Sequence, residues 1–142
     1  MKEDFIELIK LLELKEIRFI DSHETVLDPI NPKDESKICI NTEQLIPIDD
    51  PQYSENTMIC RPKYSFTFSL NNNKYFKCEY ILMVVFNCKD IKRTQELFQS
   101  NETKDFFFGH QMNRTLWTIL RSSVMNAFNR HSLQPVVLPW IK

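Results

Sequence analysis

The feature that most constrains this chain is a pair of alternating segments set around three consecutive asparagines. Tyr64-Ser-Phe-Thr-Phe-Ser-Leu70 precedes Asn71-Asn72-Asn73, and Lys74-Tyr-Phe-Lys-Cys-Glu-Tyr-Ile-Leu-Met-Val-Val-Phe86 follows it. Both flanks alternate with period two, as strands with one buried face do. Tyr64, Phe66, Phe68 and Leu70 share a face of the first strand, and Phe76, Cys78, Tyr80, Leu82, Val84 and Phe86 share a face of the second. All are even-numbered. Residues directly opposite in an antiparallel pair lie on one face, so the two apolar sets meet only where even numbers pair with even. A three-residue loop at Asn71 to Asn73 supplies that register, pairing Phe68 with Phe76, Phe66 with Cys78 and Tyr64 with Tyr80. A two-residue loop would set Phe68 opposite Lys77 and split the faces. The chain has one glycine, Gly109, so positive φ angles fall mostly to Asn and Asp. The opposite face, with Ser65, Thr67, Ser69, Lys77 and Glu79, is predicted to be wet near the turn and covered farther along, at Ile81, Met83 and Val85.

A second pattern lies beyond the hairpin. Leu116, Ile119, Leu120, Ser123, Val124, Ala127 and Phe128 recur at the three-and-four spacing of a helical stripe, predicting a helix from Gln111 to Asn129. Arg130 and His131 suit its negative end, and Pro135 forbids its continuation, so Val136 to Trp140 must be extended. Near the start, Phe5, Ile6, Leu8, Ile9 and Leu12 suit a short amphipathic helix within residues 1–13. Strand character follows around Ile17 to Ile20 and near Thr25 to Leu27. Residues 28–62 hold five prolines, acidic residues and an apolar island, Ile38-Cys39-Ile40 and Leu45-Ile46-Pro47-Ile48, and read as a long crossover segment. Lys89 to Asp105 reads as a polar connection with one helical turn.

With 142 residues the chain suits one domain, and its formal charge of -1 gives no electrostatic reason to expect nucleic acid. No apolar run is long enough to cross a membrane, and Met1-Lys2-Glu3-Asp4 lacks the order of a secretory signal, so a soluble cytoplasmic protein is expected. Cys39, Cys60, Cys78 and Cys88 include no pair spaced for a zinc knuckle or redox motif, and reduced thiols are expected. His23, His110 and His131 belong to no catalytic motif; no Gly-rich phosphate loop and no Gly-x-Ser-x-Gly is present. No enzyme, metal or cofactor is expected. His23-Glu24 could join a Cys at a metal, but no spacing supports that.

In order and in several short strings the chain resembles the SecB-like export and antitoxin-associated chaperones. Lys37-Ile38-Cys39-Ile40-Asn41-Thr42 looks like the family's crossover string, between its first and second strands. The helix followed by Arg130-His131-Ser132-Leu133-Gln134-Pro135-Val136-Val137-Leu138-Pro139 resembles the family's ending, although His131 stands where a Gly is usual. The resemblance covers roughly Leu14 to Trp140. It implies an α+β domain: a four-stranded antiparallel sheet with a long crossover after strand 1 and a long C-terminal helix packed on one face. It also implies a homotetramer, a dimer of dimers, with edge strands pairing and the helices packed between dimers. The second C-terminal helix and metal-binding tail of export chaperones are not found before Lys142, which favours the members that protect an aggregation-prone antitoxin.

The resemblance makes the partner an unfolded or partly folded polypeptide, held in apolar grooves without nucleotide. Ile38, Ile40, Leu45, Ile46 and Ile48 are the candidate client-binding residues, against the equal alternative that they close the core beneath the crossover. Leu116, Trp117, Leu120 and Val124 are the candidate oligomer interface, against the commoner alternative that a helix stripe is intramolecular core. Phe66, Phe68, Phe76 and Tyr80 are expected in the core. Two other readings stand beside the antitoxin chaperone: a general export holdase, and an adaptor that binds one folded partner.

Overall fold

A computed structural model describes residues 2–33, 37–45 and 50–139, and no side chain at 2, 44 or 45. Helix α1 (Lys2–Leu11) runs directly into strand β1 (Leu12–Val26). Strands β2 (Ile38–Leu45), β3 (Gln52–Ser54), β4 (Thr57–Cys60), β5 (Lys63–Leu70) and β6 (Asn73–Cys88) come after it. Next come α2 (Ile91–Leu97), α3 (Asn101–Phe106), a π-turn (Phe107–Gln111) and α4 (Met112–Arg130).

The long strand β6 organises the sheet. Strand β1 pairs antiparallel with it from Leu12 opposite Cys88 to Val26 opposite Phe76. The other edge of β6 is shared end to end by β5 and β4, with β2 beyond β5 and β3 beyond β4. The sheet therefore has six strands, not the expected four, because residues 28–62 contribute three of them. The division between β4 and β5 falls at Pro62, which has no N–H to give a ladder. Register is unaffected: Cys60 faces Val84, Lys63 faces Ile81, and the Leu82 N–H donates to the Pro62 carbonyl at 3.0 Å.

The parity argument holds at the hairpin, by a different device. Phe68 faces Phe76, Phe66 faces Cys78 and Tyr64 faces Tyr80, as the sequence requires. The turn itself is two residues long, Asn71 and Asn72, at φ 52° and 64°. Leu70 then faces Asn73 and Ser69 faces Lys74, and a register shift before Phe68 restores even parity. Tyr75 is the residue gained there, and it is buried. Two positive φ values are what a type I′ turn demands, and the twist of that turn matches the right-handed twist of the flanking strands. Glu55, at φ 54° in the β3–β4 turn, and Ser132, at φ 55° after α4, supply the other positive angles among the described residues.

The even face of the hairpin is the core. Tyr64, Phe66, Phe68, Phe76, Cys78, Tyr80, Leu82 and Val84 are buried there under Leu116, Leu120, Val124 and Phe128 of α4. Phe128 packs its ring on both Phe68 and Phe76, at centroid distances of 4.8 and 4.9 Å. The Tyr64 hydroxyl donates to Asn113 Oδ1 at 2.9 Å, fixing the rotation of the helix over the sheet. Among the described residues no helix covers the opposite face. Lys77 bridges to Glu79 on that face, as does Lys63 from β5; Ser65 and Thr67, expected to be wet, are buried, and of the residues expected to be covered Val85 is buried while Ile81 and Met83 stay partly exposed.

Helical structure begins earlier than the periodicity predicts. Asp90 caps α2 by accepting from the Arg93 N–H, and Ser100 caps α3 by accepting from the Thr103 N–H. The π-turn joins α3 to α4 without leaving the helical region, giving a continuous helical run from Asn101 to Arg130. After it, residues 133–139 extend back along α4 with Val136 and Leu138 buried and Val137 exposed. Trp117 Nε1 donates to the Pro139 carbonyl at 2.6 Å and Arg121 Nε to the Leu138 carbonyl at 2.7 Å. Asn31 holds the start of this strip, accepting from the Gln134 N–H at 2.8 Å.

Candidate polypeptide-binding site

The sequence-derived interface residues fall into two groups. Leu116, Leu120 and Val124 are fully buried within this one chain, facing its own sheet. They have no surface left to offer a second protomer, which corrects their place in a helix–helix interface: an apolar stripe is satisfied first by the nearest apolar face. Trp117 lies at the margin, half-buried, with its ring 5.9 Å from Phe66 and its N–H held by Pro139.

Of the client-binding candidates, Ile38 and Ile40 lie on β2, half-buried and packed against the core, opposite Leu70 and Phe68 of β5. They close one margin of the covered face and keep part of their surface open. Leu45 pairs in backbone register with Lys63. Ile46, Ile48 and the Leu45 side chain lie outside the described residues.

Beside the returning end of the crossover is a groove of about 280 Å³, lined by Pro51, Tyr53, Gln95, Phe98 and Gln99, with Asp50 and Lys104 3.7 Å apart at its edge. Strand β3 places Tyr53 by pairing it with Met58, whose buried side chain is in the core. Helix α2 places Gln95 and Phe98 through its Asp90 cap. Burial, and secondarily Cys60, raises the Tyr53 hydroxyl well above the usual tyrosine range, so it stays a neutral hydrogen-bonding group.

Phe98 stands 5.5 Å from Phe107, which lines a second cavity on its far side. That cleft, of about 120 Å³, lies between Ile9 of α1, Leu12 and Leu14 of β1, Phe86 of β6, and Phe107 to Thr115 at the junction of the π-turn with α4. An aromatic wall thus separates two recesses, a groove of mixed polar and aromatic lining and a mainly apolar cleft. Neither was legible as a site in the sequence. The available signal was the aromatic cluster of Phe98 and Phe106 to Phe108, whose members the sequence does not assign to one recess or the other.

Burial pushes the Cys60 and Cys78 thiols up to about 12, which leaves them protonated and unreactive at neutral pH. Cys88 is buried beside Thr94 Oγ1 at 3.2 Å, and Cys39 alone among the four free thiols is exposed. Glu24 is committed to Arg130 and His131, which ties β1 to the end of α4, and His23 pairs with Asp21. Among the described residues no group of His, Cys, Asp and Glu is placed to hold a metal ion, and no helix is long and apolar enough to cross a membrane.

An antiparallel sheet crossed over after its first strand, a long helix on one face and a proline-stiffened strip returning along that helix together make the SecB-like fold. The likeness is explicit against a solved structure of the Rv1957 SecB-like chaperone of Mycobacterium tuberculosis in complex with a ChAD peptide from the Rv1956 HigA1 antitoxin. The TM-score is 0.76 at 12% sequence identity, covering 99% of this chain and 97% of that one. No protein-family model matches the chain, and no curated protein matches it in sequence.

Proposed function

We propose that this protein is an ATP-independent chaperone that holds unfolded or aggregation-prone polypeptide segments, and that its client is the antitoxin of a toxin–antitoxin module. The observation that carries the reading is the near-complete fold likeness to a SecB-like chaperone solved with an antitoxin peptide. A groove beside the crossover and an apolar cleft apart from it offer concave surface for holding a polypeptide. The physical basis is burial: roughly 25 cal/mol per Å² of apolar surface lets several weak contacts along one client outweigh the entropy of ordering it. Ile38, Ile40, Leu45, Ile46 and Ile48 form the crossover part of the client surface, and the protein works in the cytoplasm as a homotetramer. Assembly as a dimer of dimers uses edge strands and Trp117 at the helix margin.

The test is aggregation of a chemically denatured antitoxin and of unrelated unfolded proteins, followed by light scattering without nucleotide. Suppression selective for the antitoxin is expected. Equal suppression of every unfolded chain would favour a general holdase, and failure to suppress any of them would remove the chaperone reading. Light scattering coupled to size exclusion is expected to give the mass of four chains at micromolar concentration.

A further inference from the structure

The cleft between α1, the start of β1 and the π-turn combines three properties that structural packing alone does not require. First, its surroundings hold apolar surface out in solvent: Ile6, Ile9 and Leu14 are each 43% exposed, and Ile9 and Leu14 line the cavity. Leu14 faces Phe86 on the covered side of the sheet, yet the covering layer stops short of it. Second, the opening coincides with two local irregularities. The π-turn contributes Phe107 and Gln111 to the lining, and a register shift between Leu14 and Glu16 bends β1 at the mouth. Such interruptions of regular backbone open space beside themselves and gather at functional sites.

Third, the exposed charged residues flanking the lining positions in the chain are mostly cationic. Immediately next to lining positions in the chain are Lys10, Lys15 and Arg114, all exposed, against one exposed carboxylate, Glu13. None of the three cations is held in an ion pair among the described residues. The volume, about 120 Å³, is near the ~150 Å³ at which an apolar protein cavity takes up a benzene ring.

We infer that this cleft is an anchoring site for one aromatic side chain of a client segment whose neighbouring residues are acidic. The apolar lining takes the ring, while Gln111 and Thr115 offer polar atoms at the same opening. Lys10, Lys15 and Arg114 attract the flanking carboxylates and so select among aromatic segments. The inference rests on the chaperone reading and adds to it a place and a chemistry apart from the crossover. Because Phe107 and Phe98 meet, the cleft backs onto the groove at Tyr53, and a client that reached both recesses would gain by avidity.

The test uses the full-length protein and three fluorescein-labelled nonapeptides: a central Trp with Asp and Glu neighbours, the same Trp with Lys and Arg neighbours, and a central Ala with the acidic neighbours. In fluorescence anisotropy the acidic Trp peptide is expected to bind at least tenfold more tightly than either other peptide. Thr115→Trp, which fills the cleft from α4, is expected to weaken it tenfold or more, and so is Leu14→Asp, each variant showing the cooperative unfolding of the wild type. Lys10→Glu combined with Lys15→Glu is expected to reverse the preference toward the basic peptide. Equal binding of the three peptides, or undiminished binding by both single variants, overturns the inference, and if antitoxin aggregation is still suppressed the chaperone reading survives it. A wild-type protein that neither binds these peptides nor holds any unfolded chain overturns both.

Discussion

The two faces of the sheet carry the same alternation and meet opposite fates. On the covered face, Phe66, Phe68, Phe76 and Tyr80 are excluded from water by α4 and the returning strip. On the other face, over which no helix lies among the described residues, Lys77, Glu79, Ile81 and Met83 stay partly exposed, although Ser65, Thr67 and Val85 are buried. One amphipathic helix can cover one face, and the chain puts its aromatics where that helix lies. The division of labour is uneven: the covered face supplies most of the buried aromatic surface, whereas the other face and the margins of the covering layer keep part of their surface in solvent.

The cysteines offer the sharpest way to break this comparison, since Cys60, Cys78 and Cys88 are buried and Cys39, on β2 opposite Ser69, is exposed. A thiol reagent at neutral pH is expected to label one cysteine in the native protein and four in denaturant. The buried thiols should react about 10³-fold or more slowly, because modification must await opening. Rapid native labelling of more than one thiol would mean that the covered face is not closed.

Substitutions weigh the faces energetically. Phe68→Ala on the covered face is expected to cost about 3–5 kcal/mol in denaturant unfolding, by lost burial and the cavity left under Phe128. Met83→Ala on the open face should cost about 1 kcal/mol or less, because its side chain is half-exposed already. Tyr64→Phe removes the hydrogen bond to Asn113 and is expected to cost about 1 kcal/mol, read from the same denaturation midpoint.

Smaller changes probe the covering layer itself. Gly109 sits in the π-turn with negative φ, and nothing lies within 4 Å of the Cβ an alanine would add. Gly109→Ala should therefore raise stability by about 0.5–1 kcal/mol, visible as a higher melting temperature. At the other margin, two hydrogen bonds from Arg93, at 2.5 and 2.8 Å, dock α1 on α2 and hold the Glu7 carboxyl below its ordinary value of 4.5. A lowered folded value means that this contribution is present above pH 4.5 and is lost as pH falls through the folded value. Glu7→Gln is expected to flatten that part of the acid unfolding curve, a small effect given how exposed the pair is.

Legibility from sequence tracked the range of the interactions. Hairpin parity, the helix stripe and the extended strip after Pro135 are local patterns, and each appears where its period or its proline placed it. The helical run before Met112 was hidden because Phe106, Phe107 and Phe108 are consecutive, and three adjacent aromatics fit no helical period. The π-turn reconciles them: Phe107 and Phe108 are buried while Phe106 turns toward Phe5, with the two rings 4.5 Å apart. Neither recess was readable, since each is walled by residues from elements far apart in the chain.

By itself the sequence determined which residues share a face, where the backbone could turn without glycine, and where the last helix had to end. Those are consequences of strand and helix periods and of asparagine and proline stereochemistry, which act within a few residues. Only the tertiary structure decided what each face would meet. An apolar stripe carries no label for its partner, so Leu116, Leu120 and Val124 could have served another protomer until the hairpin's aromatic face was seen beneath them. Strand count, bulge positions and the cleft beside the π-turn were likewise decided by how distant segments fit together, because register and void volume belong to pairs of surfaces and to neither alone.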